Sequence, residues 1–164
     1  MLVMGIDPGT RSMGIGLVES DGEDFFLRHS DALSPPRNAD LAERLGWLHV
    51  HLAELIAEVM PDVVAVESPF VGRNIKAAIA VGQSQAVAMV AAASHGIPVS
   101  TYAPREVKKA VTDNGGSSKE QVQDMVQFLL DLEDPLHPAD RADAAAVAIC
   151  HINNAQTLDI EMWE

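Results

Sequence analysis

Leu2-Val3-Met4-Gly5-Ile6-Asp7-Pro8-Gly9-Thr10-Arg11-Ser12-Met13-Gly14-Ile15-Gly16-Leu17-Val18-Glu19 opens the chain, and the way it is punctuated decides the fold. Residues 2–7 are a short apolar run, and residues 13–19 alternate with glycine. The five residues between them, Pro8 to Ser12, have turn chemistry, so the two runs predict a β-hairpin. Asp7 falls in phase with Val3 and Gly5 at the end of the first strand. A charged residue there is either a surface end or a site, and open α/β sheets place their sites at the carboxyl ends of strands.

Outward from the hairpin, residues 25–33 predict a third strand and residues 34–37, with Pro35 and Pro36, a loop. Asn38 is expected to cap a helix whose Leu41, Leu45, Leu48, Leu52, Leu55, Ile56 and Val59 follow helical spacing. Pro61 ends it, and residues 62–67 read as a buried strand closing on Glu67. A second helix spans residues 74–94 up to Gly96, followed by a fifth strand over 97–102. Pro104 opens a short helix through Val111. After a loop at 113–117, Ser118 caps a helix over 119–130, with Gln121 at the capping-box position. Pro135 and Pro138 bracket a turn before a last helix from Ala139 to about Asn153. Three antiparallel strands extended by two parallel ones through helical crossovers give an α/β fold with a five-stranded mixed sheet. One domain over residues 1–156 is expected, with an acidic, frayed tail at 157–164.

With 164 residues, 48% of them hydrophobic, the chain can bury a sizeable core. The uninterrupted apolar runs are shorter than the roughly 20 residues of a bilayer span, and the N-terminus reads as a strand rather than a signal peptide. The lone Cys150 sits in an apolar stretch and suits a small buried side chain. These features favour a cytoplasmic protein with no membrane partner. The formal charge of −13 is poor for nucleic-acid binding as a whole. It is unevenly spread, however. Residues 73–119 hold six basic and two acidic residues, a local +4, and the remainder carries −17. Either that segment faces phosphate or the clustering is chance.

The second helix, with Ile75, residues 77–81 and 86–93, is apolar on nearly every face. Such a helix is buried on both sides. Its second side is covered either by the molecule's other helices or by a twofold-related copy.

Four carboxylates should meet. If the first and fourth strands are parallel neighbours, Asp7 and Glu67 share one edge of the sheet. Asp140 and Asp143 lie three apart, on one face of the last helix and in its first turn. Acids at a helix start are ordinary, since the dipole tolerates them. The alanines that follow, at 144–146 and 148, would let this helix sit close on the sheet and bring both aspartates to the other two. Four clustered carboxylates repel, and burying them unpaired is costly. Hard divalent cations such as Mg²⁺ resolve the conflict, and a pair of ions roughly 4 Å apart supports in-line phosphoryl displacement. The six histidines are scattered without zinc spacing; His137, near the aspartates, is a candidate supporting group.

Taken together these residues resemble the bacterial RuvC family of crossover junction endodeoxyribonucleases. Gly5 to Thr10 with Gly14-Ile15-Gly16 looks like the family's opening hairpin. Val66-Glu67-Ser68-Pro69-Phe70 with Arg73-Asn74, Gly82-Gln83 and the alanine-rich helix are similar to its next segments. So are Tyr102 to Lys108, Gly116 to Lys119, and Asp140-Arg141-Ala142-Asp143-Ala144. The likeness runs from Leu2 to about His151. It implies a ribonuclease-H-like fold, a homodimer through the helix at 74–94, and Asp7, Glu67, Asp140 and Asp143 as metal-binding catalytic acids. Two Mg²⁺ per site are implied, with Mn²⁺ a possible substitute. It further implies Phe70 as an aromatic stacking on a junction base, although by sequence alone Phe70 could be a core residue. Lys108 and Lys119 would lie near the scissile phosphate, and Arg73 and Asn74 along the DNA path. The implied activity is resolution of four-way Holliday junctions by paired symmetric nicks in recombination and repair, alongside a branch-migration complex. This chain departs from the family in its acidic charge and tail, and it has aspartate at the third acid where some members have histidine.

Asp7-Pro8-Gly9-Thr10 also looks like the phosphate loop of the actin and sugar-kinase ATPases, but those need two such lobes and do not call for the pair at 140 and 143. A nuclease of the same fold acting on another branched or single-stranded nucleic acid is a second rival, and a silent junction-binding protein a third.

Overall fold

The structure, a computed structural model, describes residues 1–70, 72 and 74–161. Ten elements follow in chain order: β1 (Leu2–Asp7), β2 (Met13–Ser20), β3 (Phe25–Leu33), α1 (Leu41–Val59), β4 (Val63–Glu67), α2 (Ile75–Ser94), β5 (Val99–Tyr102), α3 (Pro104–Thr112), α4 (Lys119–Leu129) and α5 (Ala139–Glu161). They build one five-stranded sheet in the order β3-β2-β1-β4-β5. β1–β2 and β2–β3 are antiparallel, while β1–β4 and β4–β5 are parallel. The mixed sheet is as expected.

Each face of the sheet has its own core. Val3, Val18 and Ala65 pack with Val107, Val111, Val122, Val126 and the buried side of α5. On the other face, Met4, Ile6, Met13 and Ile15 meet Leu48, Leu52 and Ile56 of α1 and Ala88, Ala91 and Ala92 of α2. Because side chains alternate along a strand, one run of apolar residues serves both layers. Cys150 is free and fully buried, in line with its expected role.

α5 lies against the hairpin with backbone close to backbone. A Cβ on Gly5 would overlap the carbonyl of Ala144, one on Gly14 the carbonyl of Asp140, and one on Gly16 the backbone nitrogen of Ala145. Glycines on the strands and alanines on the helix therefore let two backbones touch.

Several boundaries differ from the expectations. Asp40, not Asn38, caps α1: its carboxylate accepts from the Glu43 amide at 2.9 Å while the Glu43 carboxylate accepts from the Asp40 amide at 2.8 Å. This reciprocal box satisfies two amides where Asn38 would have satisfied one. β5 starts at Val99 rather than 97, since the Ile97 amide donates to Ala92 O to close α2, with Gly96 at φ 69°. α5 runs to Glu161, beyond the expected end near Asn153. The Asn153 side chain donates to Ala110 O and that of Gln156 to Gly22 O, fixing the added turns against α3 and the β2–β3 turn. The rest of the expected tail, 162–164, lies outside the described residues.

Within the single chain α2 is buried on one side, and the chain's other described helices do not cover the second. Ser84, Ala88, Ala91 and Ala92 are buried, whereas Ile75, Ile79, Met89 and Val90 are exposed. By length and composition this helix could span a bilayer, although Lys76, Gln83 and Gln85 break its apolar run. Its buried edge packs against α1, β4 and β5.

Candidate active site at the carboxyl edge of the sheet

The parallel pairing of β1 and β4, with Ile6 opposite Val66, carries Asp7 and Glu67 out of the sheet side by side. The glycine seam then lowers the first turn of α5 onto β1 and β2. Ligand oxygens of Asp7, Asp140 and Asp143 all lie within 4.8 Å of one another. Glu67 stands outside that trio but close enough to repel both Asp7 and Asp143.

Burial, followed by repulsion from Glu67, Asp143 and Asp140, pushes the Asp7 carboxyl up from 3.8 to about 8. Burial and then Asp143 push Glu67 from 4.5 to about 7, against the opposing pull of Lys119 and Lys108. Asp143 is also raised, chiefly by burial, although Lys119 Nζ sits 2.6 Å from its Oδ2. That bond in turn raises Lys119. Two ammonium groups do not balance four acids, since Asp7, Glu67 and Asp143 remain raised despite them. A hard cation ligated by oxygens does, and oxygens flanking a single ion at roughly 2.1 Å can lie about 4 Å apart. Three carboxylates whose oxygens lie within 4.8 Å of one another come near that spacing, so the donor set fits a divalent metal.

Two clefts adjoin the acids. One, of about 430 Å³, is lined by Asp7, Glu67, Phe70, Asn74 and the start of α2. Phe70 is 74% exposed at its mouth, so it is not a core residue. The Asn74 side-chain oxygen accepts from the Ala77 amide at 3.0 Å and caps α2, which leaves its NH₂ group free to face a ligand. The other cleft, of about 180 Å³, brings Lys108 and Lys119 to Glu67 and Asp143. Lys108 Nζ donates to Ser117 O at 2.8 Å, so the loop before α4 orients it. Arg73 falls outside the described residues. His137 is exposed and contributes its carbonyl, which accepts from Arg141 Nη1 at 2.7 Å.

Sequence reasoning missed two supporting groups. The Ser12 hydroxyl donates to Asp140 Oδ2 and orients it. Buried Ser84 on α2 donates to Gly9 O at 3.0 Å and fixes the turn that follows Asp7. Neither is visible locally, because each bond joins distant segments.

The profile of one family, crossover junction endodeoxyribonuclease RuvC, matches residues 3–151. A curated relative from Dehalococcoides mccartyi, bearing that name, is 47% identical over 151 residues, which is 92% of this chain and 90% of the relative. Among solved structures, Thermus thermophilus RuvC in complex with a Holliday junction substrate superposes with a TM-score of 0.89 at 35% identity, covering 96% of each chain. The yeast mitochondrial Holliday junction resolvase Ydc2, at 14% identity and a TM-score of 0.68 over 98% of this chain and 83% of its own, shares the fold. That fold is ribonuclease-H-like, and the sequence likeness extends through all five strands and the helix that bears Asp140 and Asp143. On these grounds the chain belongs to the RuvC family of crossover junction endodeoxyribonucleases.

Proposed function

We propose that this chain is a divalent-metal-dependent endonuclease that resolves four-way DNA junctions by paired, symmetric nicks, in recombination and repair. The observation that carries the reading is the convergence of Asp7, Asp140 and Asp143, with Glu67 beside them, at one sheet edge. Asp7, Glu67, Asp140 and Asp143 are the residues that would hold the metal, two Mg²⁺ per site, with Mn²⁺ able to substitute. When bound, such ions stabilise the attacking and leaving oxygens of an in-line phosphoryl displacement. Ser12 and Lys119 each hold one aspartate in place, and the two lysines present positive charge where a phosphate approaches the acids. Phe70 offers an exposed ring for stacking on an unpaired base, a contact open to any base. Arg73 and Asn74 would follow the strand leading from it.

Two nicks of like polarity need two sites in fixed relation. The exposed apolar residues of α2, Ile75, Ile79, Met89 and Val90, suit a twofold homodimer through this helix. Action beside a branch-migration complex in the cytoplasm fits the same reading. The test is incubation with Mg²⁺ and either a four-way junction or a linear duplex, with Asp7→Asn as the inactive control. Paired nicks placed symmetrically about the junction are expected. Equal cutting of both substrates overturns the junction assignment.

A further inference from the structure

Outside the stretch 73–119, only five basic residues remain: Arg11, Arg28, Arg37, Arg44 and Arg141. Two are committed to partners. Arg28 pairs with Glu19, and Arg141 donates to the Ser30 hydroxyl and the His137 carbonyl. The other three, drawn from three separate segments, converge with Pro35 and Pro36 around one cavity of about 270 Å³. Among the described residues, none of the three has a carboxylate within 4.0 Å. Arg44 Nε is moreover shielded from solvent without a hydrogen-bond partner. The acids nearest in sequence to Arg37 and Arg44, Asp40 and Glu43, are engaged with each other's amides at the start of α1, and the acid nearest to Arg11, Asp7, belongs to the carboxylate cluster.

Arg11 and Arg37 are exposed and Arg44 is half-buried, so three of the eleven cations in a chain of −13 stand together at one cavity where an anion can reach them. Guanidinium groups match phosphate oxygens in planar, bidentate geometry. The position indicates which phosphate. Pairing of Met13 with Leu33 brings the loop at 34–37 beside Arg11 and Ser12, and the Ser12 hydroxyl is bonded to Asp140. The cavity therefore lies at the same sheet edge as the carboxylates, on their β3 side. Lys108 and Lys119 flank them from the α3–α4 side.

We propose that Arg11, Arg37 and Arg44 form a phosphate pocket that grips a backbone phosphodiester of the DNA substrate to one side of the cleavage site. The pocket positions the strand and reads no sequence. This assignment to DNA rests on the nuclease reading above. The anion pocket itself does not.

Two measurements test it. The first is junction binding with Ca²⁺ in place of Mg²⁺ across a salt series, for wild type, Arg37→Gln, Arg11→Gln and the control Arg28→Gln. Removing either pocket arginine should lower the slope of log affinity against log salt by about 0.9, equally on junctions of different core sequence. The control should match wild type. An unchanged slope in both pocket variants overturns the proposal.

The second follows the arginine Nε–H resonances of the metal-free wild-type protein by NMR, so no variant has to fold. Inorganic phosphate and, separately, a short oligodeoxynucleotide should each move Arg11, Arg37 and Arg44 with saturation, while Arg28 and Arg141 stay still. No response, or an equal response of all five, overturns the pocket. A response to inorganic phosphate alone overturns the assignment to DNA. Failure of wild type to bind junction, with both NMR responses intact, counts against the nuclease reading and leaves the pocket standing.

Discussion

Asp7→Asn should abolish cutting while making the metal-free protein more stable. Asp7 keeps its proton up to about 8 in the folded chain but loses it near 3.8 once unfolded. Between those values the folded state binds more protons, so its stability falls as pH rises through the window. With about 1.4 kcal/mol per pKa unit, the full effect is on the order of 6 kcal/mol. The asparagine still has to be buried, and Glu67, Asp140 and Asp143 still repel one another. We therefore expect about 1–3 kcal/mol of gain near pH 8. For a domain of this size that is a rise in melting temperature of roughly 2–10 °C. Calorimetry in chelator at pH 8 and pH 5 measures it, and the gain should shrink at pH 5, where Asp7 is already protonated. A melting temperature that is unchanged or lowered at pH 8 would show that Asp7 is not strained by its neighbours, and the argument for metal would lose its footing.

Four further outcomes follow from the same geometry. Stabilisation by Mg²⁺ should grow between pH 6 and 8, because Asp7 and Glu67, raised to about 8 and about 7, must shed protons to become ligands; a flat melting-temperature increment across that range contradicts this. Gly14→Ala should destabilise by roughly 1–3 kcal/mol or more, since its Cβ overlaps the Asp140 carbonyl, and should depress nicking as α5 is displaced; denaturant melts and a junction assay read both. Phe70→Ala should leave the melting temperature unchanged, given its 74% exposure, yet weaken junction binding by about 1–3 kcal/mol through lost stacking. Binding to linear duplex in chelator at moderate salt should be weak, because the chain carries −13 and chelation removes whatever positive charge divalent ions would add at the acids; tight binding there refutes it.

The framework of the site was legible because its signals are local. Strand runs ending on Asp7 and Glu67, and an aspartate pair at helical spacing, need no knowledge of distant contacts. The depth at which α5 docks was half legible: the alanines were read, but Gly5, Gly14 and Gly16 supply the other half of the seam. The cap of α1 was misplaced although its sign was present, since Asp40 has Glu43 three residues on and Asn38 has Leu41. The length of α5 was not legible, because long-range bonds from Asn153 and Gln156 outweigh the modest helix propensity of its last turns. The Ser12 and Ser84 bonds and the arginine trio were invisible for the same reason: each joins residues far apart in the chain.

At the seam between α5 and the hairpin, main chain rests on main chain. The distance between the backbones that carry Asp7 and the aspartates above it is thus fixed by atomic radii, and only the carboxylates themselves are left to rotate. Even the smallest side chain, alanine's, would overlap backbone at this seam, so it admits no intermediate sizes. Variants there should divide sharply into those that keep both fold and chemistry and those that forfeit the two at once.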